Sequence, residues 1–127
     1  ISTEIMNDLS GDFNIVACLT ENNIINWQKD GQVEVEDYQH NHVLRSVIAE
    51  ESLSNENILY QGDVLEKTYA INLNELEQNN VNYSLNTAEL GNGNAGGWDS
   101  ENLSLIVYIY NNNNKEIMQV EEAHLIN

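Results

Sequence analysis

Apolar and polar residues alternate with a period of two in several stretches of the chain. Phe13, Ile15, Ala17 and Leu19 fall on one face of an extended reading, as do Tyr69, Ile71 and Leu73. Leu103, Leu105, Val107 and Ile109 share a face opposite Ser104, Ile106, Tyr108 and Tyr110. In a strand successive side chains point to opposite sides, so these patterns predict strands with one buried face. The runs are short, rich in β-branched and aromatic residues, and bounded by Asn, Asp and Gly. Residues 43–49 are ambiguous, because Val43, Leu44, Val47 and Ile48 also fit a helical face. That stretch is short for a helix, and a strand is the expectation.

The pattern predicts strands over 3–6, 12–20, 42–49, 66–72, 102–110 and 115–123, and a seventh near 25–28 or 58–60. Residues 74–79 have the composition of one helical turn. Strands at this density, without a long intervening helix, predict an all-β fold: an antiparallel two-sheet β-sandwich, immunoglobulin-like or jelly-roll-like, of about seven strands. The chain has no proline and 22 asparagines, most of them where it must turn. Asn tolerates left-handed backbone angles and bonds its own backbone, so it replaces Gly and Pro as punctuation. Asn111–Asn114 is the clearest turn and predicts a hairpin between 103–110 and 115–123. Residues 86–100 read as a long loop with Gly91-Asn92-Gly93-Asn94-Ala95-Gly96-Gly97 at its centre.

Length adds that 127 residues make one domain with a core of its own. Ile1-Ser2-Thr3-Glu4 does not open on an initiator Met, which suggests a piece excised from a longer protein. Charge changes the picture more. Asp plus Glu is 21, Lys plus Arg is 4, and the net charge is −17. Nucleic-acid binding needs clustered cations, so the charge argues strongly against that class of partner and against docking on an anionic membrane face. No apolar run approaches the roughly 20 residues of a membrane-spanning helix. Cys18 has no second cysteine to pair with, and its apolar surroundings suit an inert small hydrophobe better than a nucleophile.

Candidate chemistry is sparse. His40 and His42 lie two apart, so in a strand both imidazoles share a face; with Asp37 upstream they form a candidate zinc or iron site. The alternative is that both rings bond neighbouring strands. Arg45, the only arginine, sits among apolar strand residues and needs an acceptor. It is either a strut to a carboxylate such as Asp37, Glu121 or Glu122, or an anion-binding group in a cleft. Glu34, Glu36 and Asp37, and separately Asp99 and Glu101, offer oxygens to calcium, although the twelve-residue Asp-rich calcium loop is absent. Trp27 and Trp98 either stack on a sugar ring, dock a protein, or plug an end of the sandwich. The last is the more usual role. The Gly-x-Gly-x-x-Gly spelling at 91–96 is not a nucleotide loop, since no helix is expected after it. Nothing spells a serine-hydrolase elbow, a Walker loop or a His-Glu-x-x-His zinc site.

Several stretches together resemble a known family. They are Val16-Ala17-Cys18-Leu19-Thr20-Glu21-Asn22, Trp27-Gln28, and Asp37-Tyr38-Gln39-His40-Asn41-His42-Val43-Leu44-Arg45. Trp98, the run 103–110 and Lys115-Glu116-Ile117-Met118-Gln119-Val120-Glu121-Glu122 follow in order. In these the chain resembles the C-terminal domain of the Omp-twenty-eight-related outer-membrane proteins of Bacteroidetes. That resemblance implies a lipoprotein or surface protein of the cell envelope, with an upstream thioredoxin-like domain in many members. It carries over no catalytic residue. The expected function is a non-enzymatic module, either a spacer or an adhesin-like surface for protein or glycan, possessing no cofactor. A metal-binding site at His40 and His42, serving catalysis or metal carriage, is the second expectation, and pairing through an exposed strand edge is the third.

Overall fold

A computed structural model describes residues 1–86 and 97–125. Strands account for 53% of the described residues, all pairings are antiparallel, and one helix is present, so the all-β expectation holds. The strands are β1 (Ser2–Glu4), β2 (Leu9–Ser10), β3 (Phe13–Glu21), β4 (Ile24–Asp30), β5 (Val33–His40), β6 (Val43–Ser52), β7 (Ile58–Leu59), β8 (Val64–Glu66), β9 (Leu103–Asn111) and β10 (Ile117–His124). The helix α1 spans Leu73–Asn86.

The main layer is a four-stranded sheet in the order β10-β9-β3-β6. Its register pairs Ile15 with Ile109, Ala17 with Val107 and Leu19 with Leu105, so the alternating residues of both central strands share one face. The second layer is small. It consists of the ladders β1–β8 and β2–β7, and its Ile5, Leu59, Leu9 and Leu65 pack with Phe13, Ile15 and Leu53 in a single core. The result is sandwich-like, with one broad sheet and a narrow cover.

Three expectations need correction. Among the described residues there are ten strands rather than about seven, because both candidates for the seventh are strands and Leu9–Ser10 and Val33–His40 add two more. The expected strand at 66–72 ends at Glu66. Tyr69 is held by its hydroxyl bond to Glu51 instead of by a ladder. The single turn expected at 74–79 is a helix of 14 residues. Asn72 starts it: its side chain accepts the Glu75 amide at 3.3 Å and its carbonyl accepts the Leu76 amide at 3.1 Å. Glu75 in the first turn suits the positive end of the helix dipole. The Gly-rich stretch 91–96 lies outside the described residues; Gly97–Asp99 follows it and leads into a 3₁₀ turn, Ser100–Asn102, then β9.

The feature that positions the candidate site is a long bent hairpin. β3 runs on into β4 across Asn22 and Asn23, and β5 runs on into β6 across Asn41 and His42. The two halves are separate ladders. Asn23 (φ 61°) and His42 (φ 53°) both take left-handed angles, which Asn and His adopt more readily than most residues. Side-chain amides replace the broken ladder: Asn41 Oδ1 accepts the Asn23 amide at 3.1 Å, and Asn22 Oδ1 accepts the His42 amide at 2.7 Å. Asn102 anchors this joint to the start of β9, its carbonyl taking the Asn22 amide and its Oδ1 taking Asn23 Nδ2, each at 3.0 Å.

Candidate functional site: the β4–β5 arm and its base

Beyond the joint, β4 and β5 pair only with each other among the described residues. The register places Ile24, Asn26 and Gln28 with His40, Tyr38 and Val35 on one face of this arm. The other face carries Ile25, Trp27 and Lys29 opposite Gln39, the pair Glu36 and Asp37, and Glu34. A bulge on β5 puts Glu36 and Asp37 together across from Trp27. Trp27 is 54% exposed, and Ile25, Val33 and Tyr38 are exposed with it. Trp27 therefore does not plug an end of the sandwich. An indole and an isoleucine on an open strand face, bordered by three carboxylates, form a patch that can stack and accept charge-assisted hydrogen bonds.

The histidines sit at the base of the arm and have different partners. His40 stacks edge-on against Tyr38, with ring centroids 4.9 Å apart, and its Nε2 lies 3.3 Å from the Trp27 carbonyl. His42 is turned by its left-handed backbone towards β10, where its Nε2 is 3.5 Å from Glu122 Oε2. The two rings are not brought together with Asp37, which belongs to the opposite face of the arm from His40. Among the described residues no three His, Cys, Asp or Glu side chains are grouped to hold a metal ion. Asp99, one of the calcium candidates, caps the 3₁₀ turn through the Glu101 amide and Asn102 Nδ2.

His42 belongs to a cluster that sequence reasoning missed. Glu122 faces His42 and His124, and the Ser104 hydroxyl, followed by the two imidazoles, holds its carboxyl below the ordinary carboxylate range. Ser104 Oγ is also 3.4 Å from His124 Nδ1. Ser104, His124 and Glu122 spell the residue types of a hydrolytic triad, but Ser104 is 0% exposed and offers a substrate no approach. The register of β9 on β10, which sets His124 opposite Ser104, was the signal available. Cys18 is buried beside these strands, and burial, then the nearby Glu50 charge, pushes its thiol above the usual value. That is the direction of an unreactive thiol.

Arg45 is a strut in geometry, although to none of the expected carboxylates. Its Nε donates to Glu21 Oε2 at 2.7 Å and a terminal nitrogen donates to the Gly97 carbonyl at 3.1 Å. The side chains of Arg45 and Glu21 are only 15% and 5% exposed. Glu21 Oε1 also accepts the Asp99 amide at 2.8 Å. One carboxylate at the end of β3 thus holds the arginine of β6 and the backbone that leads into β9. Trp98, between those anchor points, is half-buried, and its amide donates to Glu77 of α1 at 3.0 Å. The Glu21 assignment was within reach: hairpin register sets Glu21 opposite Val43, two residues from Arg45.

No helix among the described residues is long and apolar enough to cross a membrane. No family model, curated protein or solved structure matches the chain.

Proposed function

We propose that this chain is a non-enzymatic, sandwich-like module of a bacterial outer-membrane or surface protein, and that its β4–β5 arm engages a protein or glycan partner. The observation that carries this reading is the half-exposed indole of Trp27 on a two-stranded ribbon that joins no larger sheet among the described residues. A two-stranded ribbon in water is marginal by itself, and a fold gains little by placing Trp and Ile on its open side. Aromatic groups so placed are the usual anchors of recognition, for protein pockets and for sugar rings alike. The likeness of the Asp37–Arg45 segment to the outer-membrane family above supports an envelope location.

The test uses a photo-crosslinking residue at position 27 on cells displaying the protein, and a glycan array probed with the purified chain. The reading expects one discrete adduct or glycan class, lost in Trp27→Ala and retained in Tyr83→Ala, a variant of an exposed side chain on α1. No adduct and no glycan would leave a spacer and overturn the binding role of the arm.

A further inference from the structure

The second layer of the fold is one strand too narrow for the sheet it covers. Between β1 and the edge strand β10 lies an open apolar groove of about 780 Å³, and its floor is formed by Leu105, Val107 and Ile109 of β9. These three share the inner face with Ile15, Ala17 and Leu19 of β3. Yet the β3 residues are buried and the β9 residues are only half-buried. Val107 and Ile109 pack against the margin of the core cluster that includes Ile5, and the narrow cover leaves the rest of their surface and that of Leu105 to the groove. The groove is lined by residues 1–7, of which Ile1–Ile5 follow the β1–β8 ladder, a length of about 13 Å at the rise of an extended chain. A trough along a strand edge fits a short extended segment of four or five residues better than a compact small molecule.

The wall of the groove is a free strand edge. Ile1 and Lys67 exchange both backbone bonds, and Ile5 donates to Asp63 and accepts from Gly62. In antiparallel register this assigns Ile1, Thr3 and Ile5 to β8. The amides and carbonyls of Ser2 and Glu4 therefore point away from β8, along the open side. Glu4, Glu121 and Glu122 border the trough, and among the described residues no Lys, Arg or His lines it.

We infer that this groove accepts an extended, basic peptide segment of a partner protein, which adds to β1 as a third strand. Alternate apolar side chains of the segment cover Leu105, Val107 and Ile109, its backbone pairs with Ser2 and Glu4, and its Lys or Arg residues meet Glu4 and Glu121. A net charge of −17 disfavours a second copy of this chain as the occupant and favours a cationic one. This interface is independent of the arm, so either can fail without the other.

The probe is a short end-blocked peptide of alternating valine and lysine. Its controls are the same residues with the alternation broken, a version with glutamate for lysine, and a version N-methylated along one edge. Fluorescence anisotropy reads affinity, and amide hydrogen exchange reads the position. Expected are protection of the Ser2 and Glu4 amides and binding at least about tenfold weaker for each control. Glu4→Pro removes an N–H that β8 does not use, so it is expected to abolish binding with the β1–β8 ladder retained. Val107→Lys, which charges the floor, gives a second independent loss. Equal binding of the broken-alternation peptide would show charge attraction only and overturn the inference. So would unprotected Ser2 and Glu4 amides, or self-association of the chain through this edge.

Discussion

One hairpin makes both the most buried and one of the most exposed parts of this molecule. On the sheet side of the Asn joint, β3 is buried along nearly its whole length between β9 and β6. On the arm side, β4 and β5 pair with no other strand among the described residues, and no residue of either is buried. Chain connectivity is the same on both sides, as is the antiparallel pairing. The difference is lateral: β3 has a strand on each edge and a core on one face, and β4 has neither. Stability therefore concentrates in the sheet half, and the arm half is left free to carry groups that the fold does not need.

The largest expected effect comes from breaking the buried half. Leu19 has no exposed surface, and Leu19→Ala should cost about 4 kcal/mol through lost transfer energy and a residual cavity. That is a large share of the roughly 5–15 kcal/mol by which domains are stable, and urea denaturation would read it as a shifted midpoint. A loss below about 1 kcal/mol would mean that the sheet half is no tighter than the arm.

Next is the strut at the boundary. Arg45→Ala leaves the Glu21 carboxylate buried with only the Asp99 amide, and should cost about 3 kcal/mol. The double variant Glu21→Gln with Arg45→Ala removes both charges while keeping the truncation, and should recover much of that loss. Thermal unfolding of the single and double variants distinguishes an uncompensated buried charge from lost packing, since packing loss would persist in the double.

Trp27→Ala should change stability by less than about 0.5 kcal/mol, the ordinary range for surface positions. A thermal shift comparable to that of Leu19→Ala would erase the contrast between the halves and assign Trp27 a structural role.

How much of this contrast is legible in the amino-acid order depends on the element. Phe13–Glu21 and Leu103–Asn111 were visible because both faces of a central strand obey a period of two, and Asn111–Asn114 because a turn accepts a run of Asn. The helix Leu73–Asn86 was visible only as one turn. No residue in it is buried, and its half-buried positions, Leu73, Leu76, Glu77, Asn80, Val81 and Ser84, mix polar with apolar side chains and leave no apolar stripe to read. Val33–His40 escaped because four acids and amides in an open ribbon leave no hydrophobic alternation to read. The partner of Arg45 was hidden for a different reason. With 21 carboxylates, only the register of β3 on β6 selects Glu21.

The smallest effect lies at the joint itself. Ser104, His42 and His124 hold the Glu122 carboxyl below its ordinary value of about 4.5. A lowered carboxylate favours the folded state when ionised, so its contribution is fully present above the unfolded value and fades as pH falls through the folded one. Melting temperature measured from pH 6 down to pH 3 should therefore decline slightly less steeply in Glu122→Gln than in the parent, with the two curves converging at the acid end. Glu122 is exposed, so the difference should be a degree or two at most. Its location decides what it teaches. His42 ends the arm and Glu122 belongs to the sheet, so a loss of this pair should loosen the arm amides in hydrogen exchange before those of β3. Equal loosening of both would mean that the joint transmits strain rather than isolating it, and the two halves of the hairpin would then be one cooperative unit.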